Sequence, residues 1–451
     1  MKITAKPAFI CLFLAIFLFT PLFAQENASP LDYGLGLNIG AETIDGNTYQ
    51  VLGLTPDLSF GNFGVGLNLA LRYRFVPESD NSVEIYPEDW VPADFQDFFA
   101  TYLPKIRYVR YGQDGDNLYA KLGSIDDATL GNGFIMGNYS NMNFLPEQRI
   151  FGMAFELDGN LFDFPYLGME SFVANFSIFD VLGGRVFTRP IAMLDIPVLS
   201  ALQIGATMVA DTNPYYHVDE VPSFATNEGM QTVAAVGGDF MLPILGNNIL
   251  SLATFGDIVG VGNTMGGMLG FGGKLISLIT YGAQLRILGE NFIPNYFGPN
   301  YDLYRTNYIQ IVNSTDTVYS EGMIGWFVSS GFSLLDEMLV LNISLDGPFN
   351  AATSAEAAES PSNYPHLLGS FTVAEGLLPG FSFEAMYDKK YIETFEDLFS
   401  PEDALIEARL NYQTGPAIIS LVYNVQYNPN ATGEEDPWEV TSGLETEISL
   451  F

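Results

Sequence analysis

The residues most able to do chemistry in this chain are charged, and they are unevenly placed. Nine basic side chains fall between positions 72 and 189: Arg72, Arg74, Lys105, Arg107, Arg110, Lys121, Arg149, Arg185 and Arg189. The same region holds an insert, PESDNSVEIYPEDWVPADFQDFF (77–99), with seven acids: Glu78, Asp80, Glu84, Glu88, Asp89, Asp94 and Asp97. A basic wall facing an acidic loop sets up a transverse field, and the charges lining a bore decide which solutes pass. The pattern predicts a constriction, with Arg72, Arg74, Arg107 and Arg110 on the wall and Glu84, Glu88, Asp89, Asp94 and Asp97 on an inward-folded loop. Two other arrangements use the same residues. The charges could pair among themselves and fill a closed lumen, or the loop could be external.

Other chemistries find little support. Asp114-Gly115-Asp116-Asn117 and Asp126-Asp127 lack the fixed spacing and closing Glu of a twelve-residue calcium loop, so they read as hairpin turns. The two histidines, His217 in YYHVDE and His366 in YPHLL, have no nucleophile motif beside them. No catalytic, metal or cofactor site is expected, and the chain does not read as an enzyme. With 17 basic and 53 acidic residues, a net charge of −36, it should not bind nucleic acid through phosphates.

The elements that must position these charges are strands. Residues 63–75, FGVGLNLALRYRF, alternate strictly. Phe63, Val65, Leu67, Leu69, Leu71, Tyr73 and Phe75 take one face; Gly64, Gly66, Asn68, Ala70, Arg72 and Arg74 take the other. Thirteen extended residues span roughly 43 Å at about 3.3 Å each, which at a tilt of about 45° matches the ~30 Å hydrocarbon layer. An Arg facing lipid at the midplane costs about 2–4 kcal/mol, so the aliphatic and aromatic face should point outward and the arginines inward. By the same parity Arg107 and Arg110 lie on opposite faces of their strand, so one of them should sit near its end.

The alternation recurs at Leu35–Ile39, Phe151–Leu157, Tyr281–Ile287, Leu339–Leu345 and Ala417–Tyr427. Turn signals lie between, at Asp45-Gly46-Asn47, Asp114-Gly115, Asp158-Gly159-Asn160, Gly183-Gly184 and Pro379-Gly380. About twenty strands can be counted, weakest near 184–190 and 264–276; single-chain bacterial barrels usually have an even number, and 16–20 is the expectation. Four polar inserts interrupt them: 77–99, the Asn- and Tyr-rich 290–316, the Ala/Ser/Pro-rich 347–365 and the acidic 428–439. These are expected to be external loops or lumen plugs.

Residues 1–24, MKITAKPAFICLFLAIFLFTPLFA, have the positive start and apolar run of a Sec-type signal peptide, with cleavage expected after Ala24. Cys11, the sole cysteine, would leave with it, so no disulfide is expected. No later stretch approaches 18 continuous apolar residues, yet 48% of the chain is hydrophobic and its mean hydropathy is +0.18. A membrane protein without spanning helices must be a closed barrel, because lipid satisfies no backbone hydrogen bonds. The expected fold is therefore all-β, a closed antiparallel transmembrane β-barrel forming one domain over residues 25–451.

Three stretches resemble a group of porin-like bacterial outer-membrane proteins: TPDLSFGNFGVGLNLALRYRF, IRYVRYGQDGDNLYAKLGSIDDATLGNGFIMGNYSNM and EQRIFGMAFELDG. The resemblance covers residues 48–190. The terminal LETEISLF also resembles the aromatic ending that barrel-assembly machinery reads, although Ser449, Glu447 and Glu445 stand where that pattern places apolar residues. The resemblance implies an outer-membrane location, with lipid, the assembly machinery and small solutes or ions as partners, and oligomers possible. The leading function is passive passage of small hydrophilic solutes. The alternatives are a plugged transporter of apolar substrates, or a surface protein that binds or adheres through its loops.

Overall fold

A computed structural model describes residues between 32 and 449, apart from breaks of which the longer are 77–81, 93–97, 143–149, 217–231, 351–362 and 428–437. The expected leader, Cys11, Asp94, Asp97, His217 and most of the 347–365 and 428–439 inserts lie outside the described residues, as does the side chain of Glu88. The fold is all-β and antiparallel, with 22 strands and one α-helix among the described residues. It divides into two compact units, residues 1–110 with 448–451, and residues 111–447.

In the first unit β1 (Asp32–Ile44) pairs along its whole length with β2 (Asn47–Phe60). Next come β3 (Phe63–Leu67), β4 (Leu69–Val76), β5 (Ser82–Ile85) and β6 (Ile106–Tyr111). The strand expected from residue 63 is present in two segments that share one register against β2, from Phe60↔Phe63 to Asp57↔Gly66 and from Leu54↔Leu69 to Gln50↔Tyr73. The interruption falls where Pro56 has no N–H to give and the Asn68 N–H donates instead to the Lys105 carbonyl at 2.7 Å. Beyond it β4 pairs with β5 and β3 with β6. This subdivision, with the four-residue β5, lifts the strand count above the expected 16–20.

The second unit is a meander. Its strands are β7 (Leu118–Gly123), β8 (Gly152–Asp158), β9 (Leu167–Val173), β10 (Val181–Thr188), β11 (Gln203–Asp211), β12 (Val233–Gly246), β13 (Ser251–Val261) and β14 (Thr264–Leu275). There follow β15 (Ile279–Leu288), β16 (Met323–Leu334), β17 (Leu339–Pro348), β18 (His366–Leu378), β19 (Phe381–Lys389), β20 (Ala404–Thr414), β21 (Ala417–Tyr427) and β22 (Trp438–Ser449). Each strand from β7 to β20 pairs antiparallel with the next. The weak regions near 184–190 and 264–276 are strands. Gly183-Gly184, expected to turn, lies inside β10, because both neighbouring strands pair across it; a Cβ on Gly183 would sit 2.7 Å from Val209 Cγ2.

Connections alternate in length. At one end they are mostly short, as at 276–278 and 335–338; at the other they include 124–151 and 289–322. The two sheet faces also differ. One face exposes Met169, Val186, Ile204, Met208, Val236, Ile258, Met265, Leu269, Leu285 and Ile287 in alternation along β9–β15. The other buries Phe172, Val181, Val209, Ala235, Val259, Met268 and Leu288 beneath the long connections. A large bare apolar face opposite a covered one reverses the pattern of a soluble antiparallel sheet.

Candidate functional site

Two connections fold onto the covered face of the second unit. The first, 124–142, follows β7; the second, 289–322, follows β15 and contains α1 (Tyr301–Asn313). They clasp each other. The Asn295 and Phe297 N–H groups donate to the carbonyls of Phe134 and Ile135 at 2.9 and 3.0 Å. The Asn295 side chain closes the clasp, accepting from the Gly137 N–H at 2.7 Å and donating to its carbonyl at 3.1 Å. Phe134 stacks on Phe292 with ring centroids 5.6 Å apart. The Asn- and Tyr-rich insert thus folds against the sheet and does not stand out as a loop. Its helix buries Tyr301, Asp302, Arg305, Ile309 and Val312.

Arg305 is the centre of this docking. Its Nε and Nη2 donate to Asp211 Oδ2 at 3.0 and 2.6 Å, and its Nη1 donates to Asp180 Oδ2 at 3.0 Å. Asp302, one turn back, lies 3.7 Å from Nη1 and accepts a 2.9 Å hydrogen bond from the Tyr139 hydroxyl. The Tyr301 hydroxyl donates to Asp211 at 2.8 Å. Three buried carboxylates therefore surround one guanidinium. Burial works against the Arg305 charge, but the surrounding acids and Tyr301 outweigh it and hold its pKa above the ordinary value. Burial pushes Asp302 up to about 7, with Asp180 and Asp211 adding to the rise and Arg305 opposing it. Burial likewise lifts Tyr139 well above its usual range.

Below this node a row of charges crosses the covered face. Glu156 of β8 stands opposite Glu170 of β9, which stands opposite Arg185 of β10. Arg185 reaches Glu170 at 2.6 Å and Asp239 of β12 at 2.6 Å. Asp239 faces Asp257 of β13, which accepts from the Asn132 side chain at 2.9 Å. The Gly131 N–H donates to Glu170 at 2.9 Å, so the tip of the first connection is seated directly on the charges. Gly131 has φ +59, and a Cβ there would lie 2.9 Å from Arg185 Nε.

Further along, in β15–β21, the same face is polar. Cross-strand register aligns Gln284 and Arg286 with Ser329, Ser344, Asn342, Ser370, Glu384, Glu407, Arg409, Asn411, Ser420 and Asn424. Arg286 reaches Asp346 at 3.5 Å, and His366 stands between Asp346 at 3.3 Å and Asp388 at 2.8 Å. The alternate positions are Leu345, Ile343, Phe371, Leu410, Leu421 and Tyr423, many of them exposed.

The charges singled out from the sequence lie in the first unit. Arg72 pairs with Asp89 at 3.0 Å and Arg74 with Glu84 at 2.7 Å. The acidic insert therefore does reach these arginines. It does so through β5 and a 3-10 turn at Pro87–Asp89, while the Trp90 indole N–H donates to the Ala70 carbonyl at 3.0 Å. Arg107 pairs with Asp57, and the guanidinium of Arg110 lies against Gly64. Asp114–Asn117 forms a turn, with the Asp116 N–H bonded to the Gln113 carbonyl at 3.0 Å. Arg185 belonged to the basic group visible in the sequence, but Arg305, Asp180, Asp211 and Asp239 did not stand out. Parity alone could have placed Arg185 and Asp239, each flanked by residues of the opposite face.

No protein-family model matches the sequence, and no curated protein does. Among solved structures the chain is similar to Pseudomonas aeruginosa OccK2 (OpdF), at 10% identity over 94% of this chain and 98% of that one, with a TM-score of 0.32. It is similar to Pseudomonas aeruginosa OpdK with vanillate at 9% identity, covering 93% and 98%, with a TM-score of 0.33. It is also similar to the FrpB iron transporter from Neisseria meningitidis at 9% identity, covering 88% and 70%, with a TM-score of 0.33. Likeness of this degree does not bear on what the chain carries.

Proposed function

We propose that the chain is a single outer-membrane β-barrel domain that passes small hydrophilic solutes or ions, made with a cleaved Sec-type leader and inserted by the barrel-assembly machinery. One observation carries this reading. Across β15–β21 the polar face is continuous in register, while the alternate face carries large exposed aliphatic and aromatic side chains. Lipid suits the second face and water the first. The inserts at 124–142 and 289–322 narrow the bore from the β9–β14 side. Glu384, Glu407, Asp346 and Asp388 outnumber Arg286 and Arg409 along the polar row, which favours cations. Arg72, Arg74, Arg107 and Arg110, with Glu84, Glu88, Asp89, Asp94 and Asp97, supply a second set of charges bearing on selectivity.

Single-channel current from refolded protein in a planar bilayer under a salt gradient tests the proposal. Steady steps with a cation-favouring reversal potential are expected, shifted by Glu384→Gln together with Glu407→Gln. The apolar packing beneath α1 favours a second reading, a plugged barrel that acts through its outer segments. Inserted protein that gives no steps, but gives them after deletion of residues 299–315, would select that reading.

A further inference from the structure

The short-connection end of the second unit is unusually apolar at 159–166 and 189–202. Phe162 is 67% exposed and Met193 76%, as exposed as the mid-strand Ile258 at 68%. Leu161, Phe164, Leu194, Ile196, Val198 and Leu199 are exposed beside them. We propose that these two connections are seated in the lipid leaflet at that end of the barrel and complete the apolar belt there. This inference rests on the membrane reading above.

Three observations support it. The first is length. A transmembrane strand needs about 9–11 residues. Strands β8 and β9 have 7 residues each and β10 has 8, whereas β12–β15 have 10 to 14. The 7-residue strands fall short by two to four residues, roughly 7–13 Å at about 3.3 Å per residue. The bare apolar row of these strands ends at Leu167 and Ile204, both opposite Thr188, and the two connections begin there. Their side chains extend the row where the strands stop.

The second is backbone satisfaction, which lipid demands and water does not. Both connections are compact and bond internally. The N–H groups of Ala192, Leu194, Ser200, Ala201 and Leu202 donate to Arg189, Ile191, Ile196, Val198 and Leu199 at 3.0–3.2 Å. Those of Asp163 and Phe164 donate to Asn160 and Gly159 at 3.3 and 3.0 Å. Pro165, Pro190 and Pro197 have no N–H to satisfy.

The third is charge. Arg189, the one basic residue in the two segments, is neutralised by Asp158 at 2.5 Å and also donates to the Pro165 carbonyl at 3.0 Å; of the two acids in the segments, Asp163 is exposed and Asp195 lies outside the described residues. The neighbouring connection at the same end, 112–117, is GQDGDN, with no apolar side chain and an Asn117 carbonyl that accepts from the Asp158 N–H at 2.8 Å. The end therefore contains its own aqueous reference.

The test uses the mature chain, which has no cysteine once a leader carrying Cys11 is removed, refolded into phosphatidylcholine vesicles. Phe162→Cys, Met193→Cys, Gln113→Cys and Ile258→Cys are each labelled with an environment-sensitive fluorophore. Quenching by nitroxide-bearing lipid is then compared with quenching by aqueous iodide. Labels at 162, 193 and 258 should be lipid-quenched and shielded from iodide at least several-fold relative to 113. If 258 is lipid-quenched but 162 and 193 respond to iodide as 113 does, the two connections project into water and the inference fails while the membrane reading stands. If 258 is itself open to iodide, both fail.

Discussion

Replacing Arg305 by Met should release the helical insert from the sheet. The change leaves Asp180, Asp211 and Asp302 buried without the guanidinium that links them. Breaking one buried ion pair from one side costs about 3–5 kcal/mol, because the surviving charge is left unpaired. Here three carboxylates lose one partner, and Asp302, with a pKa of about 7, already holds a proton part of the time at neutral pH. The loss should therefore lie within about 3–5 kcal/mol, a rise of roughly 150- to 4,000-fold in the open population of the insert. Amide hydrogen exchange reads this directly. Protection in α1 should fall by two to three orders of magnitude while the central amides of β13 hold theirs, as expected for a local opening unit. In bilayers the same variant should show noisier current of larger amplitude. Unchanged α1 protection would refute the assignment of Arg305 as the docking centre. Equal loss in α1 and β13 would show instead that the cluster supports the whole sheet.

Asp302 sets the sign of a pH effect. Its pKa in the folded insert is raised from 3.8 to about 7, so the folded form binds more protons between those values, and docking should weaken as pH rises from about 4 to 7 and level off above. Exchange in α1 measured at pH 5 and 8 should show this slope, and Asp302→Asn should abolish it. Ile258→Arg, on the bare face of β13, should cost about 2–4 kcal/mol if that position lies near the bilayer midplane, read as lost yield of inserted protein; unchanged yield would argue against lipid contact there. Gly131→Ala, at φ +59 against Arg185, should cost about 1–2 kcal/mol and speed exchange in 128–139, with α1 responding less. Arg74→Ala removes a solvent-screened cross-strand pair, so thermal stability should barely move.

The alternation of FGVGLNLALRYRF was sufficient to place its strand and to sort its residues onto two faces, with Arg72 and Arg74 on the same one, because Cβ direction in an extended chain is a local property. The same rule found β15, β17 and β21 within three residues of their ends. It faltered at Gly183-Gly184, where a turn-forming dipeptide is held straight by strands on both sides, and at Asn68, where a proline in the facing strand divides one strand into two. Partner choice is not local. Arg305 lies 94 residues from Asp211 and 125 from Asp180, and nothing in YDLYRTNYIQIVN marks which acids it will meet. Asn132 meets Asp257 across a separation of 125 residues for the same reason. The sequence by itself determined a two-faced antiparallel sheet and which residues share each face. Only the tertiary structure decided that 124–142 and 289–322 fold onto the β9–β14 part of one face, because burial of Phe134, Phe292, Tyr301 and Ile309 requires surfaces that come together only when distant strands are in register.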